Sequence, residues 1–157
     1  MIVFENEIIV PGDLEEVRER LWQGQPLPGH NDFYINLVDR KSEASFLLYI
    51  KEKVYIHELG YHVLSEVVSP RLVTWTQIDH KRFIDRILQW TLEPVADGVK
   101  VQYRFEATVV GGEVGENITR KMLQDTSMQH LDRLLHEFRG QMEWVVAESK
   151  KPPAWVD

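Results

Sequence analysis

Residues 125–149 of this sequence read DTSMQHLDRLLHEFRGQMEWVVAES, and apolar residues recur in them at every third or fourth position. The steps between these apolar residues are 3, 4, 3, 4 and 3: Met128, Leu131, Leu135, Phe138, Met142 and Val145. His130 falls among the charged and polar residues between them. This spacing predicts one amphipathic helix, because residues three or four apart share a helix face. With a rise of about 1.5 Å per residue the helix spans about 36 Å, so it needs a broad apolar surface to lie on.

The start of this helix carries two signals. Residues that can accept a hydrogen bond from a free backbone N–H stand together there: Asp125, Thr126 and Ser127. Before them, Ile118 and Met122 lie on a different helical phase from the apolar stripe. We therefore predict a C-terminal helix over 118–149, with a separate turn, a kink or a mobile joint in its lead-in.

The composition is that of a soluble globular domain. Hydrophobic residues are 43% and charged residues 27% of the 157 residues, so we expect a single domain over 1–157. Eighteen basic and 25 acidic residues give a net charge of -7, which repels a phosphate backbone, and we expect no nucleic-acid partner. The chain has no Cys, no basic signal region in its first ten residues, and no apolar run of about 20 residues. These features favour a cytoplasmic protein without membrane insertion.

The first quarter of the chain combines a strand with short helical segments. Residues 1–10 alternate as a strand, with Asn6 on the otherwise apolar face. Segment 13–38 is predicted to hold two short helices, 14–22 and 30–38, around a loop rich in Pro and Gly. A strand fits 30–38 nearly as well as a helix.

The middle of the chain, 44–110, reads as a run of antiparallel strands. Six are predicted from their β-branched, aromatic and alternating residues: 44–51, 54–59, 61–68, 72–78, 82–93 and 100–109. Lys-Glu-Lys at 51–53 reads as a turn, and Gly60 as a break. Asp-Gly at 97–98 supplies the tight turn before the last strand, because Gly tolerates positive φ.

Three segments resemble a known family. They are EIIVPGDLEEV at 7–17, EVVSPRLV at 66–73, and WTLEP at 90–94 followed by Asp-Gly at 97–98. In this order they are similar to the first strand and helix, the mid-sheet hairpin and the late hairpin of the START-like (SRPBCC) superfamily, including its polyketide-cyclase-like and lipid-transport-like members. The resemblance implies the helix-grip fold of class α+β. In it a curved antiparallel β-sheet of about seven strands grips a long C-terminal α-helix, with two short helices after the first strand.

The family resemblance also implies a cavity between the sheet and the helix. In that family such a cavity often holds a lipid, polyketide, sterol or hormone. The members include carriers, aromatase/cyclases and protein-binding modules, so the resemblance does not choose among ligands or activities. The segment between the first helix and the middle strands has no obvious counterpart in the family.

No motif for metal or covalent chemistry stands out. His57 and His62 flank a Glu as in zinc proteases, but they are five apart rather than four, and the residues around them favour a strand. The Gly-rich segment 111–115 contains an acid, lacks a basic residue and follows no parallel strand, so it does not fit a phosphate loop. We expect no metal and no cofactor.

Polar residues on inward faces mark the predicted binding site. Asn6, Arg86 and Tyr103 each fall on a strand face whose other residues are apolar. Because a buried charge is costly, Arg86 must line a solvated pocket, reach an edge or pair with a carboxylate. We predict a ligand-binding set of these residues and apolar neighbours: Asn6, Arg86, Trp90, Tyr103, Phe105, Met128, Leu131 and Leu135.

Three functions remain open from the sequence. The leading hypothesis is non-covalent binding of a small apolar or amphipathic molecule, lipid- or polyketide-like, between sheet and helix. The second is a cyclase, dehydratase or hydrolase in which Arg86, Tyr103 or a His polarises a carbonyl or moves a proton. The third is a protein-interaction module that uses a sheet edge or the end carrying Trp144 and Trp155. The oligomeric state is not indicated.

Overall fold

A seven-stranded sheet and three helices make up the described part of the chain, which is residues 1–24, 32–79, 84–109 and 111–152 of a computed structural model. The elements in order are β1 (Ile2–Val10), α1 (Leu14–Gln23), β2 (Phe33–Ser42), β3 (Ser45–Val54), β4 (His57–Ser69), β5 (Leu72–Gln77), β6 (Ile84–Val95), β7 (Gly98–Val109), α2 (Gly112–Asp125) and α3 (Ser127–Ser149). The fold class is α+β, as predicted.

The sheet is antiparallel throughout, in the order β1-β7-β6-β5-β4-β3-β2. Strands that are consecutive in sequence are neighbours in the sheet, except β1 and β2. These two form opposite edges of the sheet, and β1 pairs with β7. In β7 every second residue from Val99 to Ala107 is buried, and the residues between are half-buried. This alternation places one curved face of the sheet on the core, as the sequence predicted for this strand.

Helix α3 lies on that buried face. Its buried residues are Ser127, His130, Leu131, Leu134, Leu135, Phe138 and Met142. The long C-terminal helix is therefore confirmed, but its inward face is wider than the predicted stripe and includes His130. Met128 and Val145, at the two ends of the predicted stripe, are only partly buried.

The C-terminal helix is broken at Thr126, close to the predicted joint. Thr126 has φ -128 and ψ -77, which is not helical, and its Oγ1 donates a hydrogen bond to the Met122 carbonyl 2.7 Å away. No side chain caps the start of α3. The Ser127 hydroxyl, one of the predicted caps, instead donates to the side chain of Glu52 on β3.

The predicted second short helix is wrong. Residues 33–38 belong to β2, and the predicted residues 30 and 31 lie outside the described part of the chain. In β2, Phe33, Ile35 and Leu37 turn toward the core while Tyr34 is exposed. This period of two is that of a strand, and pairing with β3 stabilises it.

The predicted turn at 51–53 and the break at Gly60 are also wrong. Strand β3 continues to Val54, and the turn lies at Tyr55 and Ile56. Gly60 lies inside β4, where the Tyr49 ring of the neighbouring strand fills the space beside its Cα. Three charged residues together suggested a turn at 51–53. Glu52, however, faces the core and is hydrogen-bonded there.

The last hairpin is confirmed. Strands β6 and β7 are joined through Ala96 and Asp97, and Gly98 has φ 142. A Cβ on Gly98 would collide with the backbone of Val10 at the end of β1. Glycine is therefore required here for both its φ and the close approach of β1.

Candidate functional site

A small cavity lies between the concave face of the sheet and the first turns of α3. Its volume is about 30 Å³, which holds about two water-sized groups. Eight of its eleven lining residues are apolar or aromatic, and the other three are Glu52, Arg86 and Ser127. The full lining is Phe33, Ile50, Glu52, Tyr61, Val63, Trp75, Arg86, Leu88, Phe105, Ser127 and Leu131.

Strand alternation positions the side chains of the cavity. On β3, Ile50 and Glu52 are two residues apart and point to the same face. Tyr61 on β4 stands directly opposite Ile50 in the register. Arg86 on β6 lies opposite Ala107 of β7, and both are buried. Three polar groups of the site, on Glu52, Tyr61 and Arg86, therefore come from three strands of one sheet face, and Ser127 is added from α3.

Glu52 is the centre of a buried hydrogen-bond cluster. Its Oε1 accepts a hydrogen bond from Ser127 Oγ and lies 3.3 Å from His130 Nδ1. Its Oε2 accepts a hydrogen bond from Tyr61 OH at 3.1 Å. The Glu52 side chain is only 1% exposed, so these donors replace the water that the carboxylate loses on folding.

The cluster keeps Glu52 ionised. Burial alone would raise its pKa, but the hydrogen bond with His130, the charge of Arg86 and the hydrogen bond from Ser127 together hold the pKa below its usual value. The opposite holds for Tyr61, where burial and the adjacent charge of Glu52 raise the pKa of the phenol. Glu52 is therefore a carboxylate, and Tyr61 is a neutral hydrogen-bond donor.

Arg86 is buried but incompletely paired. Its Nη2 is 3.9 Å from Glu52 Oε2, which is close enough for charge attraction but too far for a hydrogen bond. The guanidinium carbon lies 4.6 Å from the centre of the Tyr61 ring, in a cation–π contact. Across the described ranges of the chain, Nε and Nη2 of Arg86 have no hydrogen-bond acceptor.

The chemistry available in the cavity is therefore that of one carboxylate, one guanidinium and several neutral donors. Arg86 can donate to an oxygen of a bound molecule, and Glu52 can balance the charge or accept a proton. In the described part of the chain, no three His, Asp or Glu side chains are grouped closely enough to hold a metal ion.

The predicted ligand-binding residues separate into two groups in the structure. Arg86, Phe105 and Leu131 line the cavity. The others lie outside its lining: Asn6, Trp90, Tyr103, Met128 and Leu135. Their part in ligand binding remains a prediction.

The five residues outside the lining have other partners. Trp90 and Tyr103 are fully buried, with their ring centres 5.8 Å apart in an edge-on contact. Burial is the main reason that the pKa of Tyr103 is raised to about 12, and its OH lies 4.0 Å from Met128 Sδ. Asn6 donates to Asp132 of α3, and Leu135 is buried in the core.

Four polar residues of the site were not predicted from the sequence: Glu52, Tyr61, Ser127 and His130. For Glu52 a signal existed, because it continues the alternation of Leu48 and Ile50 and is followed in phase by Val54. For His130 the signal was weaker. It lies three residues after Ser127 and four before Leu134, on the same helix face.

The fold has counterparts among solved structures. The Zhui aromatase/cyclase from Streptomyces sp. R1128 is similar with a TM-score of 0.72 and 12% identity, over 96% of this chain and 99% of that one. A START superfamily protein from Mycobacterium smegmatis gives a TM-score of 0.66 and 10% identity, over 91% and 98%. The di-domain ARO/CYC StfQ from the steffimycin biosynthetic pathway gives 0.71 and 12%. This chain spans 52% of that di-domain protein, with 93% of its own length covered.

These likenesses define the class of fold. No family model and no curated protein matches the sequence. At identities of 10 to 12% the structural similarity shows the fold and not the activity. The chain therefore has the START-like helix-grip fold, and the fold that the sequence resemblance implied is confirmed. None of the helices in the described ranges is both long and apolar enough to span a membrane.

Proposed function

We propose that this protein binds a small, mostly apolar molecule that carries a hydrogen-bond acceptor, in the cavity between the sheet and α3. The observation that carries the proposal is Arg86, which is 5% exposed, lines a mostly apolar cavity and has two guanidinium nitrogens that lack acceptors among the described residues. Sites for small ligands commonly combine an apolar wall with a few such polar groups.

The energetics favour an acceptor from a ligand. A buried donor without a partner costs about 1–3 kcal/mol, and a bound oxygen would recover that energy. The apolar wall adds to the affinity, because each Å² of apolar surface removed from water contributes about 25 cal/mol. The two contributions together favour an amphipathic molecule over a purely apolar or a fully polar one.

The volume of the cavity requires movement on binding. About 30 Å³ accommodates the polar end of such a molecule but not a lipid or a polycyclic body. The break at Thr126 places a non-helical residue directly before the α3 turn that lines the cavity. We expect Leu131 and the following part of α3 to move away from the sheet when a ligand enters, while Ser127 keeps its hydrogen bond to Glu52.

A panel of amphipathic compounds tests the proposal. The purified protein is screened by native mass spectrometry and thermal shift against a fatty acid, a sterol and 1,8-dihydroxyanthraquinone. The anthraquinone is included because two similar structures are named as aromatase/cyclases. At a free concentration of 100 times Kd, a binder should stabilise the fold by about 2.7 kcal/mol. Absence of a bound mass and of a thermal shift with every compound contradicts the proposal.

A second candidate function is proton transfer at a carbon next to a carbonyl. The specific observation is that the same cavity is lined by the carboxylate of Glu52 and by Arg86, which has unpaired donors. Arg86 would hold the carbonyl oxygen, and Glu52 would take the α-proton as the C–H electrons form a C=C bond and the carbonyl π electrons move to the oxygen, which gives an enolate. Return of the proton to carbon closes the cycle.

Hydrogen exchange distinguishes the enzyme from the binder. Acetophenone is incubated with the protein in D₂O, and loss of the methyl proton signal is followed by NMR. Catalysis predicts exchange above the buffer rate that is lost in Glu52→Gln but retained in Glu58→Gln, whose exposed carboxylate pairs with Lys51. Exchange at the buffer rate with the wild-type protein removes this candidate and leaves the binding proposal untouched.

A further inference from the structure

The two free donors of Arg86 lie on one edge of its guanidinium group. Nε and Nη2 are the nitrogens without acceptors in the described ranges, and the Nε–H bond and one N–H bond of Nη2 run side by side from the same edge. This paired edge matches the two oxygens of a carboxylate, which it binds through two parallel hydrogen bonds. A single carbonyl or hydroxyl oxygen would leave at least one of the two donors poorly satisfied.

Glu52 does not occupy this edge. Its nearest oxygen is 3.9 Å from Nη2, and its two oxygens already accept hydrogen bonds from Ser127 and Tyr61 and contact His130. The internal carboxylate is therefore held by other donors, and Arg86 supplies only its charge to it. The Nε–Nη2 edge of Arg86, its fork, is left for a second planar group with two oxygens.

We infer that the molecule bound in this cavity is an amphipathic carboxylic acid, whose carboxylate is held side-on by Nε and Nη2 of Arg86. The inference rests on the proposed binding function and adds the chemical class of the ligand. The cavity volume of about 30 Å³ suits it, because about two water-sized groups correspond to the two oxygens of the head group. The aromatic and aliphatic wall then contacts the first carbons of the body.

The charge of the site is compatible with this anion. Arg86 brings one positive charge, and Glu52 is surrounded by the Tyr61 and Ser127 hydroxyls and by His130. These donors partly offset the negative charge of Glu52. A neutral amide head group of the same shape is less suitable, because its own N–H₂ would face an N–H of Arg86 without an acceptor.

Matched pairs of acids and amides test the inference. Isothermal titration compares benzoate with benzamide, and octanoate with octanamide, on the wild-type protein. We expect each acid to bind at least about tenfold more tightly than its amide, which corresponds to about 1.4 kcal/mol. In Arg86→Lys the charge remains but the fork is lost, so the preference should fall to about threefold or less. The matched control is Arg104→Lys on the neighbouring strand, whose exposed guanidinium pairs with Glu5 and Glu106 and which should keep the full preference.

A measurement on the wild-type protein makes the test independent of whether Arg86→Lys folds. The Arg86 Nε–H signal in a ¹⁵N NMR spectrum should shift downfield when benzoate is added, and should not shift with benzamide. Amides that bind as tightly as acids overturn the inference, and so does an acid that binds without moving this signal. If the acids and amides fail to bind while the anthraquinone or sterol binds, the inference is wrong and the binding function stands. If no compound of either set binds, both fail.

Discussion

Glu52 of β3 and His130 of α3 are 78 residues apart in the chain, yet His130 Nδ1 lies 3.3 Å from Glu52 Oε1 in the core. Both side chains are at least nine-tenths buried. Ser127 of the same helical turn also donates to Glu52. This carboxylate therefore fixes the first turn of α3 to the sheet beside the cavity, and the cluster joins the stability of the fold to the candidate site.

Replacing Glu52 by Gln should destabilise the protein by about 3–5 kcal/mol, because it leaves the buried charge of Arg86 without its counter-ion. The free energy of unfolding is measured by urea denaturation. Glu58→Gln is the matched control, since Glu58 lies on the next strand and pairs with Lys51 at the surface. Its loss should cost less than about 1 kcal/mol. Equal losses in the free energy of unfolding for the two variants would show that the Glu52 cluster stabilises the fold no more than an exposed ion pair does.

The stabilisation by Glu52 should disappear in acid. Its pKa in the folded protein is below the ordinary value of 4.5, so the unfolded chain takes up the proton at a higher pH than the folded protein does. The contribution is therefore complete above about pH 4.5 and is lost as the pH falls through the lower folded pKa. Urea denaturation from about pH 7 to about pH 3 should show a steeper loss for the wild type than for Glu52→Gln. Parallel pH profiles would contradict the assigned direction of the pKa.

Tyr61→Phe should remove one hydrogen bond to Glu52 and retain the ring beneath Arg86. Because the acceptor is charged, we expect a loss of about 1.5–3 kcal/mol in the free energy of unfolding. Tyr34→Phe on β2 is a suitable comparison, since that side chain is exposed, and it should change the free energy by less than about 0.5 kcal/mol. A Tyr61→Phe variant as stable as the wild type would mean that the OH–carboxylate contact is not formed in solution.

The same substitution at two glycines should have opposite effects. Gly98→Ala introduces a Cβ into the backbone of Val10 at φ 142, and we expect a loss of at least about 2 kcal/mol. Gly140→Ala lies in the interior of α3, where a Cβ meets no atom within 4 Å, and should stabilise by about 0.5–1 kcal/mol. Thermal unfolding of both variants measures the difference. A lower Tm for Gly140→Ala would indicate that α3 is not helical at that position.

The sequence was a good guide where local pattern and tertiary structure agree. The stripe from Leu131 to Met142 defines the helix in the sequence and in the structure, because a helix that lies on a sheet must be apolar on one face. The alternation in β7 is equally direct, since the strand is buried on one side along most of its length. The order of all the predicted strands and helices, together with the resemblance of segments 7–17, 66–73 and 90–98 to a known family, indicated the helix-grip fold.

The polar centre of the site could not be read in the same way. Glu52 stands between two Lys residues and has the local character of a turn, yet it is buried because Ser127 and His130 meet it from another element. Local sequence cannot report partners that are more than 70 residues away. Arg86 was found because it interrupts an apolar face, whereas Glu52 was missed because the residues on both sides of it are charged too.

The most direct test of ligand binding in the cavity is a methyl NMR titration of the wild-type protein. The added compound is whichever member of the panel or of the acid–amide pairs binds most tightly. We predict chemical-shift changes at methyl groups that line the cavity: Ile50, Val63, Leu88 and Leu131. The exposed methyl groups of Val114 and Ile118 on α2 should remain unchanged. Shifts confined to these exposed methyl groups, with the four cavity residues unmoved at saturation, would contradict binding between the sheet and α3.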